Sequence, residues 1–121
     1  MSPASHRQNL PRGRRLRLPR EFSRVRNLGR RLVVGCLILN WVEASETRLG
    51  VVTSKKVGDA VVRNRARRLL RECFRKHRSK FKKSVEMVLV ARRSISDFKL
   101  TDVEKDFLKA AARAELIPAE Q

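Results

Sequence analysis

The sequence predicts a single small α+β domain in which helices pack on a mainly antiparallel sheet. Aliphatic runs typical of buried strands alternate with segments whose apolar residues recur at helical spacing. The length of 121 residues suits one domain, and a hydrophobic share of 41% is enough for a core. The predicted order is α-β-β-(β)-α-β-α, where the bracketed strand arises if a glycine divides the first strand. We assign residues 1–14 to a flexible basic arm, 15–116 to the domain and 117–121 to a C-terminal tail.

A short helix is expected to open the domain. Pro19 suits the first turn of a helix, and Phe22 and Val25 continue at helical spacing. Gly29 is a typical residue for a helix end. These residues predict a helix over 19–28.

Two strand-like runs follow this helix. Residues 32–42 (LVVGCLILNWV) are typical of a buried strand, in which Gly35 marks a bulge or a break into two strands. The polar residues 43–47 are expected to form a hairpin connection to a second strand over 48–53, antiparallel to the first. A third strand is expected over 86–91.

The strongest helical pattern covers residues 60–77, with Asp59 as the candidate N-cap. Apolar residues gather on one side of the helical wheel: Val62, Ala66, Leu69, Leu70, Cys73 and Phe74. The other side carries Asn64, Arg67, Arg68, Arg71 and Arg75, with Arg65 at its margin. The apolar side is expected to dock on the domain, which leaves the guanidinium groups facing outward.

A capping box formed by Thr101 and Glu104 predicts the last helix, which runs to about residue 115. Its apolar stripe consists of Val103, Phe107, Ala110, Ala111 and Ala114. The two cysteines, Cys36 and Cys73, lack the spacing of a zinc site and are expected to be core residues. The N-terminus lacks the apolar stretch of a signal peptide and no run of residues could span a bilayer, which favours a soluble cytoplasmic protein.

The charge points to a polyanionic partner. The chain has 30 Lys and Arg against 12 Asp and Glu, a net charge of +18, and such self-repulsion is relieved when a polyanion binds. Arginines at 63, 67, 71 and 75 form a ladder of like charges that destabilises an isolated helix, and Glu72 is the only acid in that segment. Lys55 and Lys56 precede the helix N-terminus, where a phosphate can also bind. A nucleic acid is therefore the expected ligand, with an anionic membrane surface as the main competitor.

The run SKKVGDAVVRNRARRLLRECFR, from Ser54 to Arg75, resembles the signature of the bacterial ribonuclease P protein subunit. Three further runs resemble segments of the same family: RLRLPREF at 15–22, RLGVVTSKK at 48–56 and MVLVARRS at 87–94. The resemblance covers roughly residues 15 to 115.

The resemblance implies a four-stranded sheet with a left-handed βαβ crossover. It implies an auxiliary subunit of ribonuclease P, which removes the 5′ leader from precursor tRNA. The catalyst would be an RNA subunit that holds Mg²⁺ and binds the protein one to one, and the protein would broaden the range of substrates. No catalytic residue and no metal site are expected on the protein itself, in agreement with its scattered carboxylates and with His6 and His77, which look incidental.

The resemblance also implies the binding residues. The contact with the RNA subunit falls on Arg63, Asn64, Arg65, Arg67, Arg68 and Arg71, preceded by Lys55 and Lys56. A cleft for the single-stranded leader is lined by Phe22, Arg26, Ile38, Asn40, Val52 and Lys56. The family commonly has aromatic residues at the positions of Arg26 and Asn40, so base stacking there is exchanged for phosphate and hydrogen-bond contacts. Strand alternation independently puts Cys36, Ile38 and Asn40 on one face and Leu37, Leu39 and Trp41 on the other.

Three other classes of protein share some of these features. A ribosomal or other structural RNA-binding protein would share the charge and the small α+β fold. A peripheral membrane protein could use a basic amphipathic helix, although the aliphatic side of 60–77 is the natural cover of the sheet. A protein-only nuclease would need a carboxylate cluster, which the sequence lacks.

Overall fold

The computed structural model describes residues 15–118, so the predicted basic arm over 1–14 lies outside the described residues. The helices are α1 (Pro19–Leu28), α2 (Ala60–His77) and α3 (Leu100–Arg113). The strands are β1 (Arg30–Val34), β2 (Leu37–Glu43), β3 (Arg48–Val52) and β4 (Val85–Ala91). Short 3₁₀ turns cover Lys55–Val57, Arg78–Lys80 and Arg93–Asp97.

The bounds predicted for the first two helices are confirmed, because local signals fix their ends. Pro19 is the first residue of α1, and the Gly29 N–H donates to the Val25 carbonyl (2.9 Å) where the helix ends. Asp59 caps α2, since its Oδ1 accepts from the Val62 N–H at 3.0 Å.

The predicted start of α3 is wrong by two residues, because the N-cap is Lys99 and not Thr101. The helix begins at Leu100, and Asp102 satisfies the freed Lys99 N–H at 2.9 Å. Glu104 therefore does not close a capping box with Thr101. Its carboxylate instead faces α2, where Oε2 lies 2.6 Å from His77 Nε2 and 3.1 Å from Lys76 Nζ.

Gly35 divides the long apolar run into two strands. It has φ 54°, and the chain reverses there so that Val34 pairs with Leu37 in an antiparallel β1–β2 hairpin. A Cβ built on Gly35 would lie 2.1 Å from Asp106 Oδ2, and the same oxygen accepts from the Cys36 N–H at 2.9 Å. The turn is thus packed tightly against α3.

The predicted hairpin between the second and third strands is wrong. The strand order is β1-β2-β4-β3, so β4 lies between β2 and β3, antiparallel to β2 and parallel to β3. The connection, residues 44–47 in the structure, crosses one strand instead of turning back beside β2. The chain from Glu43 to Arg48 can extend over about 17 Å, more than the roughly 10 Å that separates two strands with one between them. β4 lies inside the sheet, and five of its seven residues are buried there.

Two apolar layers cover the sheet. On one side α2 and α3 pack against Leu37, Leu39 and Trp41, which confirms the predicted core face of the first strand. On the other side α1 contributes Val25 to a smaller cluster with Leu16 and Val88, and Phe22, Val42, Val52 and Val90 pack against it. The parallel strands β3 and β4 are joined through α2; the left hand of that crossover stays an expectation from the resemblance.

Cys36 does not lie on the cleft face. It belongs to the large core cluster, because the Gly35 turn moves it out of the strand alternation. Cys36 and Cys73 are both buried free thiols, as predicted, and burial raises the pKa of each to about 12. Ile117, which the sequence assigned to the tail, is only 2% exposed.

Candidate nucleic-acid interface

The predicted RNA-binding residues of α2 divide into an exposed group and a half-buried group. Asn64, Arg65 and Arg68 are exposed. The half-buried group comprises Arg63, Arg67 and Arg71. Arg65, which the helical wheel placed at a margin, is among the exposed residues, because α2 docks through Ala66, Leu70 and Cys73.

The guanidinium groups of Arg65 and Arg67 are positioned by hydrogen bonds to uncharged oxygen atoms. Arg65 Nη2 donates to the Phe98 carbonyl at 2.7 Å, in the turn before α3. Arg67 Nη1 donates to Thr53 Oγ1 at 2.6 Å, and its Nη2 donates to Asn64 Oδ1. These contacts restrict both arginines without neutralising them, so their positive charge stays available to an anion.

Glu72, the acidic residue of α2, forms its ion pair with Arg75. Glu72 Oε2 lies 2.7 Å from Arg75 Nη2, and this hydrogen-bonded ion pair raises the pKa of Arg75. Arg63, Arg68 and Arg71 are left without a carboxylate within residues 15–118.

Lys55 and Lys56 are both exposed, in the 3₁₀ turn directly before α2. The turn is fixed by buried Val57 and by Ser54 Oγ, which accepts from the Lys56 N–H at 3.3 Å. It packs against the turn Arg93–Asp97 that follows β4.

Sequence reasoning gave no role to Arg92 and Arg93, which join this basic edge. β3 and β4 are parallel, so the residues after both strands meet at the same end of the sheet. Arg92 and Arg93 are exposed there, and Arg92 Nη1 donates to the Gly35 carbonyl at 3.0 Å. The sequence shows Arg92 and Arg93 directly after a predicted strand. Their place beside the lysine turn depends on the strand order of the sheet, which local patterns do not predict.

A pocket of about 320 Å³ lies beside α1 and brings together three of the residues that the sequence analysis named for the leader cleft, Arg26, Ile38 and Asn40. Asn27, Arg31 and Val90 complete the lining. Phe22 and Val52 lie in the adjoining apolar cluster under α1, whereas Lys56 is not part of the pocket lining.

The side chain of Asn40 lines this pocket. The residue is 5% exposed, and its side chain forms no hydrogen bond within residues 15–118. The amide atoms of Asn40 are not among the buried side-chain atoms that lack a partner, so they are accessible from the pocket. At the pocket floor it can donate to and accept from a base or a ribose.

Gly50 was missed by the sequence reasoning. A Cβ built on it would lie 2.4 Å from Phe22 Cε2, so the Phe22 ring lies directly against the β3 backbone. A glycine inside a strand is the signal for such a close approach.

The acids near α1 are already paired. Glu86 accepts from Arg24 at 2.7 Å and lies 3.5 Å from Arg48, while Glu21 lies 2.9 Å from Arg48. Arg26 and Arg31 at the pocket therefore keep a positive potential that suits a nucleic-acid backbone.

Two further findings bear on the type of site. Within residues 15–118, no three His, Cys, Asp or Glu side chains are grouped so that they could hold a metal ion. In that same range, no helix is long and apolar enough to cross a membrane.

Comparison with known proteins gives a consistent result. The family described as "Ribonuclease P" matches residues 10–115. A curated ribonuclease P protein component of Syntrophomonas wolfei is 38% identical over 104 residues, which are 84% of this chain and 87% of that protein. The solved structure of the RNase P protein from Thermotoga maritima has a TM-score of 0.74 and 28% identity, and the match covers 82% of this chain and 96% of that one. The RNase P protein of Staphylococcus aureus has the same fold, with a TM-score of 0.79 and 23% identity over 86% of this chain and 97% of that one.

Proposed function

Since this chain belongs to the ribonuclease P protein family, we propose that it binds the catalytic RNA through α2 and the 5′ leader of precursor tRNA through the cleft beside α1. It is an auxiliary protein component of the tRNA-processing endoribonuclease, whose catalyst is RNA. An RNA partner is therefore implied.

The observation that carries the proposal is the presence of two different basic surfaces on opposite sides of one sheet. α2 covers one face and presents exposed arginines, while the cleft lies on the face that α1 covers. A protein of this shape can contact two RNA segments at once. The α2 surface suits the backbone of a folded RNA, because Arg65 and Arg68 offer planar donors to phosphates.

The cleft suits a single strand. Ile38 and Val90 give apolar contact to a base, Asn40 offers an amide, and Arg26 and Arg31 lie where phosphates would pass. Lys55 and Lys56 would extend the contact from the cleft side toward α2. With no aromatic residue at the positions of Arg26 and Asn40, these two side chains would contribute charge and hydrogen bonds in place of base stacking.

Under this proposal the RNA subunit holds the Mg²⁺ that cleavage requires, and one protein binds one RNA in the cytoplasm. The residues of the protein hold and orient the two RNAs. By fixing the leader, the protein would also broaden the range of precursors that are cleaved.

A processing assay tests the function. The protein is mixed with its cognate catalytic RNA and precursor tRNA at low Mg²⁺, and we expect both the cleavage rate and the affinity for the precursor to rise. If neither rises, the assignment fails. Leader cleavage by the protein without RNA would instead favour a protein-only nuclease.

Phe22→Ala tests the cleft separately. Loss of the ring should lower the affinity of the holoenzyme for precursor tRNA by about ten-fold, which is typical of one lost stacking or apolar contact. The affinity of the holoenzyme for mature tRNA should not change. Leu28→Ala on the same helix is the control, since Leu28 is 69% exposed and lies outside the pocket of Arg26 and Asn40. An equal loss for both tRNAs would contradict leader binding in the cleft.

A further inference from the structure

A second pocket lies at the end of the sheet where α1 leads into β1. Its volume is about 450 Å³, and it is enclosed by the start of β1, the end of β2 and the C-terminal end of α3. We call it the terminal pocket, and its lining includes Arg30, Trp41, Glu43, Lys83 and Glu115. None of these residues was predicted to bind RNA.

The terminal pocket and the pocket beside α1 lie on opposite faces of the β1–β2 hairpin. Arg31 pairs with Asn40 across the two strands, and both residues line the pocket beside α1. Arg30 pairs with Trp41, and both line the terminal pocket. Neighbouring residues of a strand face opposite sides and lie about 3.3 Å apart along it. Because β1 is at the edge of the sheet, a strand of RNA that leaves the cleft at Arg31 can pass over this edge to Arg30.

The indole of Trp41 has an N–H group that is open to a ligand. The residue is 8% exposed, and its side chain forms no hydrogen bond within residues 15–118. Its Nε1 is not among the buried side-chain atoms that lack a partner, so the atom is accessible, and the terminal pocket is the cavity that Trp41 lines. A largely buried tryptophan usually donates this hydrogen to an acceptor. An acceptor atom of a ligand in the pocket would satisfy it.

Glu115 occupies a backbone position that favours glycine. Its φ is 62°, and within residues 15–118 no other residue except glycine has a positive φ. The Leu116 N–H donates to the Ala111 carbonyl (2.9 Å) and the Glu115 N–H to the Ala112 carbonyl (3.0 Å), an arrangement that ends many helices with glycine at this position. Helix termination therefore does not account for a carboxylate here, and Glu115 lines the terminal pocket.

The charges around the terminal pocket balance. Glu43 forms an ion pair with Lys83 at 3.0 Å. Arg30 and Glu115 form no ion pair within the described residues. A balanced pocket has no general attraction for phosphate, but it offers one donor, one acceptor and one cation in separate places. A nucleotide, with its base edge and its phosphate, matches this set.

We propose that the terminal pocket binds one nucleotide of the 5′ leader, upstream of the nucleotides in the cleft. Glu115 accepts from the exocyclic amino group of the base, Trp41 Nε1 donates to a neighbouring acceptor of the base, and Arg30 contacts the phosphate. The base is adenine, cytosine or guanine, since uracil has no amino group. The inference rests on the proposed function, in which Lys55 and Lys56 connect the cleft to α2, so that the leader enters at that end and reaches Arg30 last.

Glu115→Gly separates binding from folding. Glycine suits a φ of 62°, so the melting temperature should stay the same or rise. The variant also removes a negative charge from a protein of net charge +18, which by itself should strengthen RNA binding. A weaker complex would therefore identify a direct contact of the carboxylate. The matched control is Glu46→Gly, which removes the same charge from an exposed residue outside the pocket.

The affinity of the holoenzyme is measured for precursor tRNAs whose leaders are shortened one nucleotide at a time. For the longer leaders, Glu115→Gly should weaken binding by about five-fold or more. Arg30→Gln should do the same and reduce the salt dependence by about one contact, whereas Arg20→Gln, exposed outside both pockets, should stay within about two-fold. Precursors whose leader ends within the cleft should bind Glu115→Gly as they bind the unmodified protein. Equal affinities of Glu115→Gly and Glu46→Gly, or a loss at every leader length, would overturn the site.

The identity of the base is tested by placing uridine at each upstream leader position in turn. At one position uridine should weaken binding by about five-fold, and Glu115→Gly should remove that preference. A preference that persists in Glu115→Gly, or none at any position, would overturn base recognition by Glu115. If neither a shorter leader nor Phe22→Ala weakens binding, leader binding by this protein fails as a whole. If both weaken binding and Glu115→Gly does not, the cleft stands and the terminal pocket fails.

Discussion

The contact between Gly50 and Phe22 makes a prediction at the scale of single residues. Gly50→Ala introduces a methyl group 2.4 Å from the Phe22 ring, which must move away from β3. Because Gly50 has no positive φ, the effect acts through the ring alone. We expect a stability loss of about 1 kcal/mol, typical of mild overpacking. Precursor tRNA should bind more weakly, while the affinity for the catalytic RNA stays constant.

Urea unfolding and the two binding assays test this prediction. In a Phe22→Ala background, Gly50→Ala should have no further effect on the binding of precursor tRNA, because the displaced ring is already absent. An additional loss in that background would show that Gly50 acts on the leader by another route.

Glu21 makes a prediction about pH. Its Oε1 accepts from the Leu18 N–H (2.9 Å) and the Arg17 N–H (2.6 Å), and with Arg48 they lower its pKa from 4.5 to about 2. A lowered pKa stabilises the fold above pH 4.5, and this contribution is lost as the pH falls from 4.5 toward 2. Glu21→Gln should therefore be less stable than the unmodified protein by about 1 kcal/mol at pH 7.

That difference should shrink through the same pH range and vanish near pH 2. Unfolding by urea at a series of pH values measures it. A difference that stays constant down to pH 2 would contradict the role of the Glu21 charge.

At the scale of elements, α2 makes the clearest prediction. Arg65→Gln with Arg68→Gln removes two exposed charges of the α2 surface. Binding to the catalytic RNA should weaken by at least about ten-fold and its salt dependence should flatten by about two contacts. The control removes two exposed charges from α3, Lys105→Gln with Lys109→Gln. Equal losses in both double variants would mean that only net charge matters.

The helices could be predicted because their signals are local. Pro19, Gly29 and Asp59 each act within one turn of the helix end that they fix. The neighbours of β3 could not be predicted, because its partner β4 is separated from it by α2 and pairing is decided by burial of the whole sheet. The cleft residues Arg26, Ile38 and Asn40 followed from the resemblance and from strand alternation, which failed at Cys36 where the turn at Gly35 breaks the period of two.

For the whole molecule, the net charge of +18 lowers the stability of the free protein and raises its affinity for RNA. Added salt screens the repulsion within the free protein, so raising NaCl from 0.1 to 0.5 M should increase its free energy of unfolding by roughly 1 kcal/mol. The same change should weaken binding to the catalytic RNA by at least about ten-fold, because fewer counterions are released. Denaturation and binding series in the same buffers measure both effects. A fall in stability with salt would show that ion pairs such as Glu86 with Arg24 outweigh the repulsion.

The global charge was evident from the sequence, and so was its concentration on α2. The pairing of Arg15 with Leu49 was not, because 34 positions separate them along the chain. It depends on where β3 lies in the finished sheet. Contacts of this kind are set by the finished fold, and no local pattern encodes them.

The position of β4 has a consequence for synthesis on the ribosome. This strand is the last of the four to be made, yet it is the one that joins the β1–β2 hairpin to β3. Until Val85–Ala91 has left the exit tunnel, β3 has no strand to pair with except the short segment at Arg15, and α2 has only part of its sheet to cover. The basic helix is therefore complete in the nascent chain before the surface that positions it exists. Folding must then occur late and nearly at once, when the central strand inserts.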